Sequence, residues 1–175
     1  HYAKVVSVDT SQAEALPGVL AVATGEDAPN KFGVLPVTKD EHAMAVEKVR
    51  HVGDLVACVA AVDEATAREA ASLIKVEYEV LDSIHDMKKG LEDVDEPIHW
   101  RGKYHVGSTN VQKRVFQEFG DRSMVENPNA MYHGKWKYMG VNHGFTEPHA
   151  VVAHWDSNGR LQLYTPQQVP HYVHR

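Results

Sequence analysis

Between Val49 and Leu81 the pattern of apolar and polar positions changes three times. Leu55 to Val62 is an unbroken apolar run, short and rich in β-branched residues, which predicts a strand covered on both faces. Asp63 follows as an N-cap, its carboxylate placed to accept from free backbone N–H groups of a first helical turn. Ala67, Ala70, Ala71 and Ile74 then recur at helical spacing and mark a narrow apolar stripe. From Lys75 to Leu81 the period falls to two, with Val76, Tyr78 and Val80 on one face and Lys75, Glu77 and Glu79 on the other. The stretch therefore predicts a strand–helix–strand unit.

A similar order precedes it. Ala3 to Val8 alternates as a strand, and Ser11 with Glu14 three residues on resembles a capping box. Leu16-Pro17-Gly18 stops the short helix, and Val19 to Ala23 is a second strand. Two β-α-β halves packed in one mixed sheet are expected, an α+β arrangement. Between them, Ala28 to Lys48 carries the breakers Pro29, Gly33 and Pro36 and reads as irregular. Gly53-Asp54 is a turn signal, with a glycine that permits a positive φ or a close backbone approach.

Beyond Asp82 the periodicity fades into charged clusters, so 82–120 is expected to be a linker crossing a surface. Its end, Asn110 to Phe119, looks extended, with Val111, Val115, Phe116 and Phe119 as anchors. The last third is predicted to be β-rich. Ala130 to Met139 alternates aromatic with basic residues, and Glu147 to Trp155 and Arg160 to Thr165 flank an Asp156-Ser157-Asn158-Gly159 turn. Val169 to Arg175 begins a helix, with Pro170 in its first turn. The expected domains are 1–81, the linker 82–120, and 121–175 as the beginning of a second domain.

Composition narrows the function classes. A formal charge of −6 argues against a nucleic-acid partner held through phosphate neutralisation. No run of 18 or more apolar residues occurs, so no membrane span is expected. The one cysteine, Cys58, excludes an internal disulfide framework and, inside the apolar run, reads as a core residue. Low cysteine usage fits a cytoplasmic setting. Twelve histidines invite a metal, but no HExxH or CxxC spacing is present. His149 and His154 have opposite strand parity, whereas His171 and His174 would share a helix face. No metal ligand is assigned. No phosphate-binding glycine loop and no nucleophile elbow is found either.

Two residues stand out on chemistry. Glu147 precedes Pro148, which restricts its backbone and suits a fixed aim, although a glutamate that simply caps a strand-edge turn is the simpler reading. Gln168 lies where a strand leaves for a helix and can both donate and accept hydrogen bonds, which suits an oxo group or a substrate carbonyl. Taken on chemistry alone, it is a solvated loop glutamine.

Three stretches carry a family likeness: His1-Tyr2-Ala3-Lys4-Val5, LPGVLAVATGEDAP from Leu16, and VRHVGDLVACVAAVDEATAREAASLIKVEYEVL from Val49. Together they resemble the α/β hammerhead domain of the xanthine dehydrogenase and aldehyde oxidase family of molybdenum hydroxylases. EFGD from Glu118, TEPHAVVAHWD from Thr146 and GRLQLYTPQQVPHYVHR from Gly159 resemble the beginning of that family's molybdopterin-binding region. FGVLPVTKDEHAMA from Phe32 and QVPHYVHR look most similar to the α subunit of 4-hydroxybenzoyl-CoA reductase. The alternatives are purine, aldehyde or nicotinate oxidation, and a non-catalytic scaffold or assembly module.

The resemblance implies a molybdenum–pterin cofactor, with Gln168 hydrogen-bonding the apical ligand of the metal. Pro166-Gln167 stands where Ser-Thr is usual in that motif, so the local loop is expected to differ. Glu147 is implied as a structural or supporting residue. No catalytic residue is assigned, because the general base and the glycine-rich segment under the cofactor are expected beyond Arg175. Iron–sulfur clusters and FAD are expected on partner subunits or domains, in an oligomer of heterotrimers acting on a small aromatic or heterocyclic substrate.

Overall fold

The computed structural model describes residues 2–33, 38–121, 123–126 and 130–173. The chain divides into two units, His1–Phe116 and Gln117–Arg175.

In the first unit, β1 (Tyr2–Asp9), α1 (Ser11–Glu14) and β2 (Val19–Thr24) form the first half. Short strands β3 (Lys31–Phe32), β4 (Glu41–His42) and β5 (Lys48–Val49) follow within the stretch expected to be irregular. The second half is β6 (Ala57–Ala61), α2 (Glu64–Leu73) and β7 (Lys75–Leu81). Both helix starts are held by side chains. Asp63 Oδ1 accepts from the Thr66 N–H at 2.8 Å, as its place before the helix predicts. At α1 the expected capping box from Ser11 to Glu14 does not form. Thr10 is the N-cap, Asp9 Oδ1 accepts from the Ser11 N–H at 3.0 Å, and Thr10 Oγ1 donates to Glu14 at 2.6 Å. Asp9 takes both the Ser11 N–H and its hydroxyl, which leaves Ser11 inside the helix.

The two halves do not share one sheet. β7 and β5 flank β1, all antiparallel, while β2 pairs antiparallel with β6 in a separate sheet. Each half thus places its two strands in different sheets, and the halves interlock. Every ladder among the described residues is antiparallel, so the expected mixed sheet is replaced by small antiparallel ones. The β1–β7 register sets Lys4 against Glu79 and Ser7 against Glu77, and both pairs bond through their side chains at 3.0 and 3.2 Å. Such pairs fix register on an exposed face more than they stabilise it.

The buried residues are small: Ala3, Ala45 and Val49 form one cluster, and Ala13 and Ala70 are fully buried in α1 and α2. The helix stripe is rotated from expectation. Ala70 is its buried centre and Ala67 and Ile74 are half-buried, but Ala71 is exposed. Cys58 is also exposed, contrary to its place in an apolar run. In a two-stranded sheet with helices on one face, alternate residues of β6 must point away from that cover. Gly53 has φ +96° with open space around it, so its role is the positive φ rather than close packing.

Residues 82–116 contain a single 3-10 turn, Lys89–Leu91, and otherwise lack regular structure. Val115, Phe116 and Phe119 are exposed and are not buried as anchors among the described residues.

The second unit contains α3 (Ser123–Glu126), β8 (Val152–Trp155), β9 (Leu161–Tyr164) and α4 (Pro170–Val173). β8 and β9 form the expected hairpin, with Trp155 opposite Leu161. Asp156 closes it, accepting from the N–H groups of Asn158 at 2.8 Å and Arg160 at 2.9 Å, and Gly159 alone takes a positive φ, +73°. Residues 130–139 form no strand: the only ladder among the described residues of this unit is β8–β9, and an unpaired strand has no hydrogen-bonding partner to hold it.

Candidate functional site

Pro170 starts α4 at its first position, where a missing N–H costs nothing, so the chain must bend between β9 and that proline. Gln168 sits in this bend and is exposed. The neighbouring Gln167 turns its Oε1 back to the Val169 N–H at 3.5 Å, while the Gln168 carboxamide has no partner among the described residues. Glu147 lies upstream of β8 in irregular chain, also exposed, and no hydrogen bond joins it to Gln168. Beside it, the rings of Phe145 and His149 meet edge to face, 5.3 Å apart. His149 is outside any strand, and His174 lies outside the described residues. Among the described residues no group of three or more His, Cys, Asp or Glu side chains is arranged to hold a metal ion.

A molybdenum–pterin group would meet one suitable contact here. With no partner among the described residues, the Gln168 N–H₂ can donate to an oxygen on a metal while its carbonyl can accept from a protonated ligand. The chemistry fits at that single point, with no enclosing wall from the described residues of the second unit.

The first unit holds a polar centre that sequence reasoning missed. Asp40 is 3% exposed and accepts three hydrogen bonds: from the Trp100 N–H at 2.7 Å, Arg50 Nη2 at 3.2 Å and His99 Nδ1 at 3.2 Å. Arg50 also donates from Nε to the Ile98 carbonyl at 2.9 Å. Burial pushes the Asp40 carboxyl up, but the Trp100 N–H, then His99, then Arg50 outweigh it and hold the group below its ordinary range. Nearby, Lys48 pairs with Glu96. Burial pulls the Lys48 ammonium down, and the bond to Glu96 reverses this and carries it above the ordinary lysine value. In sequence, Asp40 is one charge among Lys39, Asp40 and Glu41, and nothing in that run marks which one is buried.

These geometries coincide with clear relatives. The interlocked sheets and helices of the first unit make it an α/β hammerhead, and residues 1–82 match the family model described as aldehyde oxidase and xanthine dehydrogenase, a/b hammerhead domain. Residues 1–82, just under half of the chain, thus carry the hammerhead domain of the aldehyde oxidase and xanthine dehydrogenase family. It is 34% identical over 98% of its length to the nicotinate dehydrogenase large molybdopterin subunit of Eubacterium barkeri, of which it spans 39%. It is 30% identical over 97% of its length to a xanthine dehydrogenase molybdenum-binding subunit of Escherichia coli, of which it spans 23%. Among solved structures, quinoline 2-oxidoreductase from Pseudomonas putida 86 superimposes with a TM-score of 0.74 at 28% identity, over 98% of this chain and 22% of that one. The chain therefore spans well under half of the relatives it matches. The relatives named here are nicotinate and xanthine dehydrogenases and not 4-hydroxybenzoyl-CoA reductase, the subgroup expected from the sequence. Among the described residues no helix is long and apolar enough to cross a membrane.

Proposed function

We propose that this chain is part of the molybdenum-cofactor subunit of a hydroxylase that oxidises a nitrogen heterocycle. The observation that carries the reading is 34% identity, sustained over 98% of the chain, to a nicotinate dehydrogenase large molybdopterin subunit. Likeness to a xanthine dehydrogenase subunit and to quinoline 2-oxidoreductase supports the same substrate class, since nicotinate, xanthine and quinoline are all nitrogen-containing rings. When bound, the cofactor supplies the two-electron redox step, and the protein supplies orientation and electrostatics. The Gln168 amide would help hold the cofactor by hydrogen-bonding a ligand of the metal, a contact that tunes a metal without ligating it. Iron–sulfur and flavin groups would sit on partner subunits or domains and carry the electrons away. The hammerhead serves as scaffold.

The test is to produce the intact subunit with its partners, measure bound molybdenum, and follow dye reduction with nicotinate, xanthine, an aldehyde and 4-hydroxybenzoyl-CoA. Stoichiometric molybdenum with turnover of a nitrogen heterocycle is expected. Turnover confined to the aldehyde or the thioester would refute the substrate class, and an assembled complex without molybdenum would leave the scaffold reading.

A further inference from the structure

We infer that residues 96–101 form a strap closed over the hammerhead by polar contacts centred on Asp40, and that this strap opens as a unit while the sheets stay intact. Hydrogen bonds hold it at successive positions. Glu96 pairs with Lys48, the Ile98 carbonyl accepts from Arg50, the Ile98 N–H donates to Asn110 Oδ1 at 2.8 Å, and His99 and the Trp100 N–H converge on Asp40. Apolar burial contributes little. Pro97 and Ile98 are only half-buried, and the Trp100 indole is 64% exposed.

Asp40 is the shared acceptor that joins the hammerhead to the strap. With its charge present, each of its three donors makes a charge-assisted bond, about twice as strong as a neutral one. With the charge removed, one carbonyl oxygen remains to accept and the charge assistance at all three contacts is lost at once, so the contacts weaken together. None of the strap residues belongs to a strand ladder, so release breaks no pairing in β1, β5 or β7. Beneath the strap lies a cavity of about 330 Å³ lined from the hammerhead side by Lys31, Asp40, Glu47, Lys48 and Arg50. Opening the strap widens this charged recess, which is already open to solvent on one side, and parts its two walls. Segments held by few apolar contacts are those that open at low free energy, even where, as at Asp40, the polar contacts themselves are shielded.

Amide hydrogen exchange on the full chain at neutral pH tests this. In the unmodified protein the amides of 96–101, including Trp100, are expected to exchange at least about tenfold faster than those of β1 and β7 after correction for intrinsic rates. In Asp40→Asn, which keeps the shape and removes the charge, strap exchange is expected to rise by about another tenfold with β1 and β7 unchanged. Strap and sheet amides exchanging through one common opening would overturn the inference, as would a D40N change that moves both regions or neither. If Asp40→Asn cannot be isolated folded, the comparison within the unmodified chain decides alone. That readout does not depend on bound molybdenum, so its failure is separable from failure of the catalytic proposal.

Discussion

Gly25→Ala is the substitution whose cost the structure fixes most directly. Gly25 is buried in the turn that closes β2, where Asp27 Oδ2 accepts from the Thr24 N–H at 2.7 Å. A Cβ added there would lie 2.7 Å from the carbonyl oxygens of both Met44 and Ala45, and 2.8 Å from Val46 Cγ2. Two of those neighbours are backbone, and the segment they belong to is pinned by the Ala45 N–H bond to the Leu55 carbonyl at 2.6 Å. A rotamer change can relieve the valine contact but not the two carbonyls. Overpacking of this kind costs about 1–3 kcal/mol. At about 2 kcal/mol, a chain of this size loses about 4–8 °C of melting temperature. The assay is thermal unfolding followed by circular dichroism, with Gly90→Ala as the control. Gly90 has open space around its would-be Cβ and no positive φ, so that variant is expected to melt within about 2 °C of the parent. Equal melting temperatures for the two variants would refute the reasoning, because they would show that the 44–46 segment yields freely.

Ala70→Leu should destabilise the first unit by about 1–3 kcal/mol, since Ala70 is fully buried in α2; a denaturant midpoint equal to that of the parent would contradict this. The Asp40 carboxyl is held lower in the folded chain than when unfolded, so its stabilising contribution is fully present above about pH 4 and lost as pH falls through the folded value. The groups facing it are Arg50 and His99, with Glu47, Lys48 and Glu96 around the same recess. Acid unfolding of Asp40→Asn should accordingly show a smaller fall in stability below that pH than the parent, and parallel curves would exclude the assignment. In the intact subunit, Gln168→Ala is expected to alter the molybdenum spectrum and to lower turnover by about tenfold. If spectrum and rate are both unchanged, Gln168 is not at the metal.

Local elements were legible because their causes are local. Asp63 marks its helix with a carboxylate three residues from the N–H it accepts, and Asp156 with Gly159 marks the hairpin in the same way. Sheet membership was not legible. Strand order along the chain suggested neighbours in one sheet, but β1 pairs with β7 across more than 60 intervening residues, and no short-range pattern specifies such a partner. The missed carboxylate follows the same rule. Asp40 is buried because Arg50, the His99 ring and the Trp100 N–H reach it from outside its own run, the last two from a distant part of the chain, and its sequence neighbours look no different from a solvated charge run. At the candidate site, the bend that carries Gln168 was readable from Pro170, whereas what the exposed amide contacts depends on groups that the described residues do not supply.

The same distinction explains why amphipathic patterning over-predicted the second unit. An alternation such as Tyr132, Trp136 and Tyr138 against Lys135 and Lys137 says that one face of an extended chain is apolar. It does not say that the chain contains the strand able to pair with it. Here those three aromatics are 95%, 76% and 84% exposed, and 130–139 stays irregular. By contrast, the comparable alternation at Lys75 to Leu81 does become a strand, because β1 is present to complete its ladder. Val80 on that strand remains mostly exposed all the same. Backbone pairing, not burial, therefore decides which alternating segments of this chain are ordered as strands. Supplying a pairing strand to 130–139 is accordingly expected to order it, whereas replacing its aromatics with other apolar residues is not.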